Sequence, residues 1–325
     1  MKAIEMITSG FTQKPREVVK TGDDSAASSL LTYVRRMTGW HQVAVCTLAA
    51  FVALLNLAPI ELQRRIVNEV VETRDVSVLV QFGIAYSVII LMHQAFKYAL
   101  WLYQSWLTES TNRYTRAHLL TLYGDKSSSA EDGTGRAVSV VGAEVEKLGG
   151  FAGEALSGAC ANGAMLIGIA AYMLYVEPQI AVFALAFLIP QVVITPFLQR
   201  KLNVLIEERV VLLRDLGDGI SGMKTDASSD PDHVVNSIFT NRMRFFVLKF
   251  AMKSALNLLN ALGPLTVLLL GGYLAMQGDV QLGVIVAFIS GFEKISSPLR
   301  ELIGFYRITA QANVQHRMIA KWMAS

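Results

Sequence analysis

Six long apolar stretches dominate this sequence and restrict the structures that it can form. A helix advances about 1.5 Å per residue, so about 20 mostly apolar residues cross a bilayer core of about 30 Å. Stretches of this kind cover residues 43–60, 78–96, 155–176, 180–198, 255–275 and 280–302. We therefore predict an all-α polytopic membrane protein whose six transmembrane helices lie in the lipid bilayer.

The composition agrees with a protein embedded in lipid. Of the 325 residues, 53% are hydrophobic and 17% are charged, whereas about 25% are charged in an ordinary soluble domain. The formal net charge is only +3. Because nucleic-acid binding requires a clustered basic face, we expect no nucleic-acid partner.

Reactive side chains form no recognisable catalytic or metal-binding motif. Both cysteines, Cys46 and Cys160, lie inside apolar stretches, so we expect neither a disulfide framework nor a cysteine-based metal site. The five histidines are scattered, and the sequence contains neither H-E-x-x-H nor G-x-S-x-G. We therefore do not expect this chain to be an enzyme.

Positively charged residues are distributed unevenly among the connections between the apolar stretches. The short connections at residues 177–179 and 276–279 contain neither Lys nor Arg, whereas residues 113–147 and 200–253 contain many. Since cytoplasmic loops are enriched in Lys and Arg, we expect the two long connections and both termini to be cytoplasmic. This predicts a multi-pass protein of a cell inner membrane or plasma membrane.

The segment before the first apolar stretch has two parts. Residues 1–28 are polar and predict a cytoplasmic N-terminal tail. Residues 29–40 place apolar side chains on one helical face beside Arg35 and Arg36, a pattern typical of a helix lying in the membrane interface. We therefore expect a membrane domain over residues 29–325 that begins with this interfacial elbow helix.

The two long connections keep the helical pattern of the apolar stretches before them, which predicts helices that extend into the cytoplasm. Two segments rich in helix-stopping residues, 124–135 and 216–232, interrupt that pattern. We expect these segments to form the tips of the extensions. Rigid projecting helices suit a protein that takes mechanical input from a cytoplasmic partner.

Three segments in this order resemble the transmembrane domain of exporter-type ATP-binding cassette (ABC) transporters. They are GTGRAVSVVGAEVEKL at 133–148, DLGDGISGM at 215–223, and LLLGGYLAMQGDVQLGVIVAFISGF at 268–292, which SSPLREL follows at 296–302. Within them, Glu144 stands where the family usually has Asp, and Asp218 replaces a Glu.

The resemblance implies a pump built from two such units. A homodimer or heterodimer with a second transmembrane domain would enclose a path that opens alternately to each side of the membrane. An ABC ATPase subunit would dock on the cytoplasmic tips, where Tyr123, Asp125, Asp218 and Gly222 are the candidate coupling residues. ATP and Mg would bind to that partner, so we expect no cofactor in this chain.

The segment closest to a nucleotide-binding motif does not satisfy it. A P-loop requires G-x-x-x-x-G-K-[ST], but Met223 separates Gly222 from Lys224. The glycines at 217, 219 and 222 match G-x-G-x-x-G without the βαβ context of a dinucleotide site. We therefore expect the ATPase to be a separate polypeptide. An alternative is a permease-like scaffold or regulatory subunit that has lost its ATPase.

Polar residues inside the last two apolar stretches are the remaining candidates. An ionisable side chain at membrane depth costs about 2.5 to 3.5 kcal/mol, so Glu293 and Lys294 are candidates for the translocation path. They could instead form a hydrated pair at the inner interface. Asn257 and Asn260 could line the same path or hydrogen-bond to neighbouring helices.

Overall fold

The computed structural model describes residues 27–73, 75–126, 142, 144–222 and 231–324, and the regular structure in these residues is entirely helical. The elements are α1 (Leu30–Thr38), α2 (Trp40–Leu55), α3 (Ala58–Thr73), α4 (Val76–Lys126), α5 (Val145–Gly150), a π-helical turn (Phe151–Ala155), α6 (Leu156–Val176), α7 (Pro178–Ala186), α8 (Leu188–Gly222), α9 (Pro231–Gln277) and α10 (Leu282–Ala324).

Six helical segments are long and apolar enough to cross a membrane, which confirms the predicted fold class. They are Trp40–Val70, Val76–Leu120, Val145–Val176, Pro178–Gly217, His233–Gln277 and Leu282–Lys321. Each is much longer than the roughly 20 residues that a bilayer core requires. The helices therefore extend beyond the bilayer.

A glycine separates the first, amphipathic helix from the first apolar one. The Ser29 hydroxyl accepts a hydrogen bond from the Thr32 N–H at 3.2 Å, which caps the N-terminus of α1. The helix ends at Thr38 and is capped by Gly39, whose φ of 52° lies in the left-handed region that favours glycine. The helix predicted over 29–40 is therefore present as Leu30–Thr38.

Proline determines where two of the apolar helices break. A proline lacks an N–H, and its ring clashes with the carbonyl group four residues earlier. Helix α2 ends at Leu55, four residues before Pro59, and α7 ends at Ala186, four residues before Pro190. Both breaks are short, and a new helix starts within three residues.

Glycine, in contrast, does not break the helices where the sequence pattern placed the two tips. Helix α4 continues from Gly124 to Lys126, and α8 continues through the segment from Leu216 to Gly222. The predicted breaks at 124–135 and 216–232 are therefore wrong in these parts, and Pro231 already belongs to α9. A glycine costs about 1 kcal/mol in a helix but leaves its hydrogen bonds intact. Residues 127–135 and 223–230 of these segments lie outside the described part of the chain.

The described residues form two compact units, and the division falls inside α6 and α10. The first unit contains the residues up to Ala171 and those from Ser297 onward. Its core joins residues of α1, α4, α5, the π-helical turn and the end of α10. A second cluster joins α2 to α4.

The second unit contains Tyr172–Ser296, and within it α9 and the part of α10 up to Ser296 form an antiparallel hairpin. The two helices meet at Gly278, whose φ is 85°. An added Cβ at Gly271 would lie 2.9 Å from Cγ1 of Ile285, so this glycine leaves room for the Ile285 side chain.

Candidate functional site

A polar contact joins α9 to α10 inside their membrane-spanning segments. The Ser296 hydroxyl donates a hydrogen bond to Oδ1 of Asn260 at 2.9 Å. One turn away, an added Cβ at Gly263 would overlap the ring of Phe292, whose side chain is fully buried. The structure thus places Asn260 at a helix–helix contact, one of the two roles predicted for it.

The other three path candidates differ in exposure. Glu293 and Asn257 are exposed on the chain, whereas Lys294 is half-buried. Successive residues on a helix point about 100° apart, so Glu293 and Lys294 face different directions. Lys294 lies 12 residues after Leu282, or about 18 Å along the axis of α10, which is past the middle of a bilayer core of about 30 Å.

The four coupling candidates all lie at the C-terminal ends of long helices. Tyr123 and Asp125 are in the last turn of α4, and Asp218 and Gly222 are in the last two turns of α8. Helix α4 has 51 residues and is therefore about 76 Å long. Its end lies far outside a bilayer that its N-terminal half already crosses.

The elbow helix α1 is fixed by a buried contact that the sequence did not reveal. The Tyr33 hydroxyl and Oγ1 of Thr115 on α4 are 2.6 Å apart, and the Tyr33 ring packs edge-on against His316 of α10 at 5.7 Å. Burial raises the pKa of Tyr33 to about 12. The contact joins residues 82 positions apart, so no local pattern indicates it.

A second unpredicted contact brings the backbones of α4 and the π-helical region together. An added Cβ at Gly153 would lie 2.7 Å from the Gln104 carbonyl oxygen and from the Thr108 nitrogen. Nearby, the Gln104 amide donates to the Ser157 hydroxyl at 2.8 Å. Small residues at intervals of four, here Gly149, Gly153 and Ser157, are the sequence signal for such close helix packing.

The comparison with protein families agrees with this geometry. Six long apolar helices define a polytopic membrane protein, and residues 43–210 match the family described as the ABC transporter transmembrane region. The match covers more than half of the chain, and the chain belongs to this family. The match confirms the resemblance to ABC transmembrane domains that the sequence indicated. Two of the segments that carry this resemblance, at 215–223 and 268–302, lie beyond the matched residues. A comparison with curated proteins gave no match.

Proposed function

We propose that this chain is the permease subunit of an ATP-driven exporter. Family membership makes it a transmembrane component of an ABC transporter. One observation carries the further proposal: helices α4, α9 and α10 have 51, 47 and 43 residues, about twice what a bilayer requires. Such extensions can transmit the movement of an ATPase in water to the bilayer.

The ATPase is a separate subunit in this proposal, and it binds the ATP and Mg. The sequence contains no G-x-x-x-x-G-K-[ST] segment to cradle a nucleotide phosphate. The ends of α4 and α8, with Tyr123, Asp125, Asp218 and Gly222, form the contact with that subunit. The Lys and Arg residues near these ends support a cytoplasmic location for them and for both termini.

Half of the translocation path lies beside α10, and a second transmembrane domain supplies the other half. The exposed carboxylate of Glu293 supports this arrangement, because a charge facing lipid at that depth costs several kcal/mol. Water in a path removes that cost. Asn257 is exposed as well. Together with Glu293, it forms with Lys294 and Asn260 the group of polar candidates for the path on α9 and α10.

Co-reconstitution with the ATPase that purifies with the chain in mild detergent tests this function. We expect the chain to stimulate ATP hydrolysis, and the Asp218→Lys variant to reduce that stimulation at least tenfold. The matched control is Asp279→Lys, which reverses a charge at the α9–α10 connection on the opposite membrane face and should leave stimulation unchanged. Co-purification without stimulation would contradict the proposal and favour the scaffold alternative.

A further inference from the structure

A groove of about 400 Å³ runs between one face of the segment α5 to α6 and one face of α10, within the first unit. Its lining covers residues 147–162 on one side and 301–315 on the other, or about 21 to 23 Å of each helix. A volume of this size accommodates a small organic ligand.

The charged lining of the groove favours a cation. The side chains of Glu154 and Glu301 are exposed in it, and Lys147 is its one basic residue among those described. In the amide orientation that satisfies Gln315, the Lys147 amine donates to the Gln315 oxygen at 3.2 Å, and the Gln315 nitrogen donates to the Gln311 carbonyl oxygen at 3.3 Å. The lining therefore carries two carboxylates and one amine.

Aromatic and small residues shape the rest of the groove. The rings of Phe151 and Phe305 are stacked at 6.0 Å with their planes 11° apart. Phe151 is buried in the core, whereas the half-buried ring of Phe305 can attract an organic cation, as aromatic faces do. An added Cβ at Gly150 or Gly158 meets no atom within 4 Å, so open space remains beside the helix for an apolar chain.

The groove lies at the depth of lipid headgroups. Glu154 is 22 residues from Val176, and Glu301 is 19 residues from Leu282, so both carboxylates lie about 30 Å from the other membrane face. Gly158 and Asn162 lie closer to the bilayer centre than Glu154. The carboxylates thus meet headgroups, and the open part of the groove beside Gly158 meets acyl chains.

We propose that this groove binds an aminophospholipid from the adjoining leaflet. The ammonium group of the lipid lies between Glu154 and Glu301 and against the half-buried ring of Phe305, and an acyl chain lies along Gly158 and Ala159. This site requires neither an ATPase nor transport. A lipid occupies it in preference to a dissolved amine because the groove opens at the level where headgroups are concentrated.

Native mass spectrometry of the purified chain, titrated with phosphatidylethanolamine or phosphatidylglycerol, tests the proposal. We expect phosphatidylethanolamine to bind at least tenfold more tightly than phosphatidylglycerol. The double variant Glu154→Gln, Glu301→Gln should abolish that preference. The control is Glu146→Gln, which removes an exposed carboxylate of α5 outside the groove lining and should keep the preference.

A second pair of variants tests the space rather than the charge. Gly158→Leu fills the groove and should reduce phosphatidylethanolamine binding about tenfold. Gly163→Leu introduces the same side chain at a position of α6 that is also open but does not line the groove, and it should bind as the wild type does. Equal binding of both lipids, or tight binding only of a dissolved alkylammonium, would overturn the proposal. The proposal would also be overturned if the Glu154→Gln, Glu301→Gln variant lost a dimer but kept its lipid preference. That result would assign the groove to a protein contact.

Discussion

Two glycines ten residues apart in the same helical region have opposite surroundings. An added Cβ at Gly153 meets backbone atoms of α4, whereas one at Gly163 meets nothing within 4 Å. We expect Gly153→Ala to destabilise the protein by about 1 to 3 kcal/mol through overpacking. Gly163→Ala should be neutral or stabilising by up to about 1 kcal/mol. Thermal unfolding in detergent measures both, and equal shifts would contradict the packing described for α4.

The burial of Tyr33 makes stability depend on pH. Because burial raises the pKa of Tyr33 to about 12 from 10.0, the unfolded chain loses the tyrosine proton first as the pH rises. The stability due to neutral Tyr33 is therefore complete below about pH 10 and falls between pH 10 and 12.

Tyr33→Phe removes this titration and leaves the buried Thr115 hydroxyl without its phenol partner, at a cost of about 1 kcal/mol near pH 8. We expect the difference in unfolding free energy between wild type and variant to shrink, and to reverse, between pH 10 and 12. Denaturation at pH 8 and pH 11 measures it. A constant difference would show that Tyr33 is not buried as described.

At the scale of the element, the continuity of α4 beyond the bilayer is central to the proposed coupling. Leu120 lies in this extension and is 57% exposed, so its replacement removes little buried surface. Leu120→Pro should interrupt the helix at a cost of about 3 kcal/mol, and should abolish stimulation of the ATPase while membrane insertion persists. Leu120→Ala is the control and should stimulate normally. Normal stimulation by the proline variant would show that α4 does not transmit movement.

The sequence located helices better than it located their ends or contacts. Runs of apolar residues are sufficient to identify six spans, because a bilayer selects on length and composition alone. Glycines such as Gly124 and Gly217 misled the prediction of helix ends, since they weaken a helix without removing a hydrogen bond. The pairing of Asn260 with Ser296 also required the register between two helices, which periodicity within one helix does not supply.

At the scale of the whole molecule, the exposed surface agrees with a protein that lipid and a second transmembrane domain surround. The apolar window of α4 is 0% buried within the chain. Contact between such an apolar surface and lipid has no energetic cost, whereas its contact with water is unfavourable. The proposed dimer covers the polar side chains of α9 and α10. Neither the composition nor the helical pattern of one chain specifies which helix faces contact lipid and which contact the second transmembrane domain.

Topology mapping determines whether the long helical extensions lie in the cytoplasm. In a chain without Cys46 and Cys160, single cysteines replace Gln179, Asp279, Glu207 and Thr240, which are all exposed. A membrane-impermeant maleimide added to intact cells should label the cysteines at 179 and 279, and should label those at 207 and 240 only after lysis. Labelling at 207 or 240 in intact cells would place the extensions outside the cytoplasm and exclude coupling to a cytoplasmic ATPase.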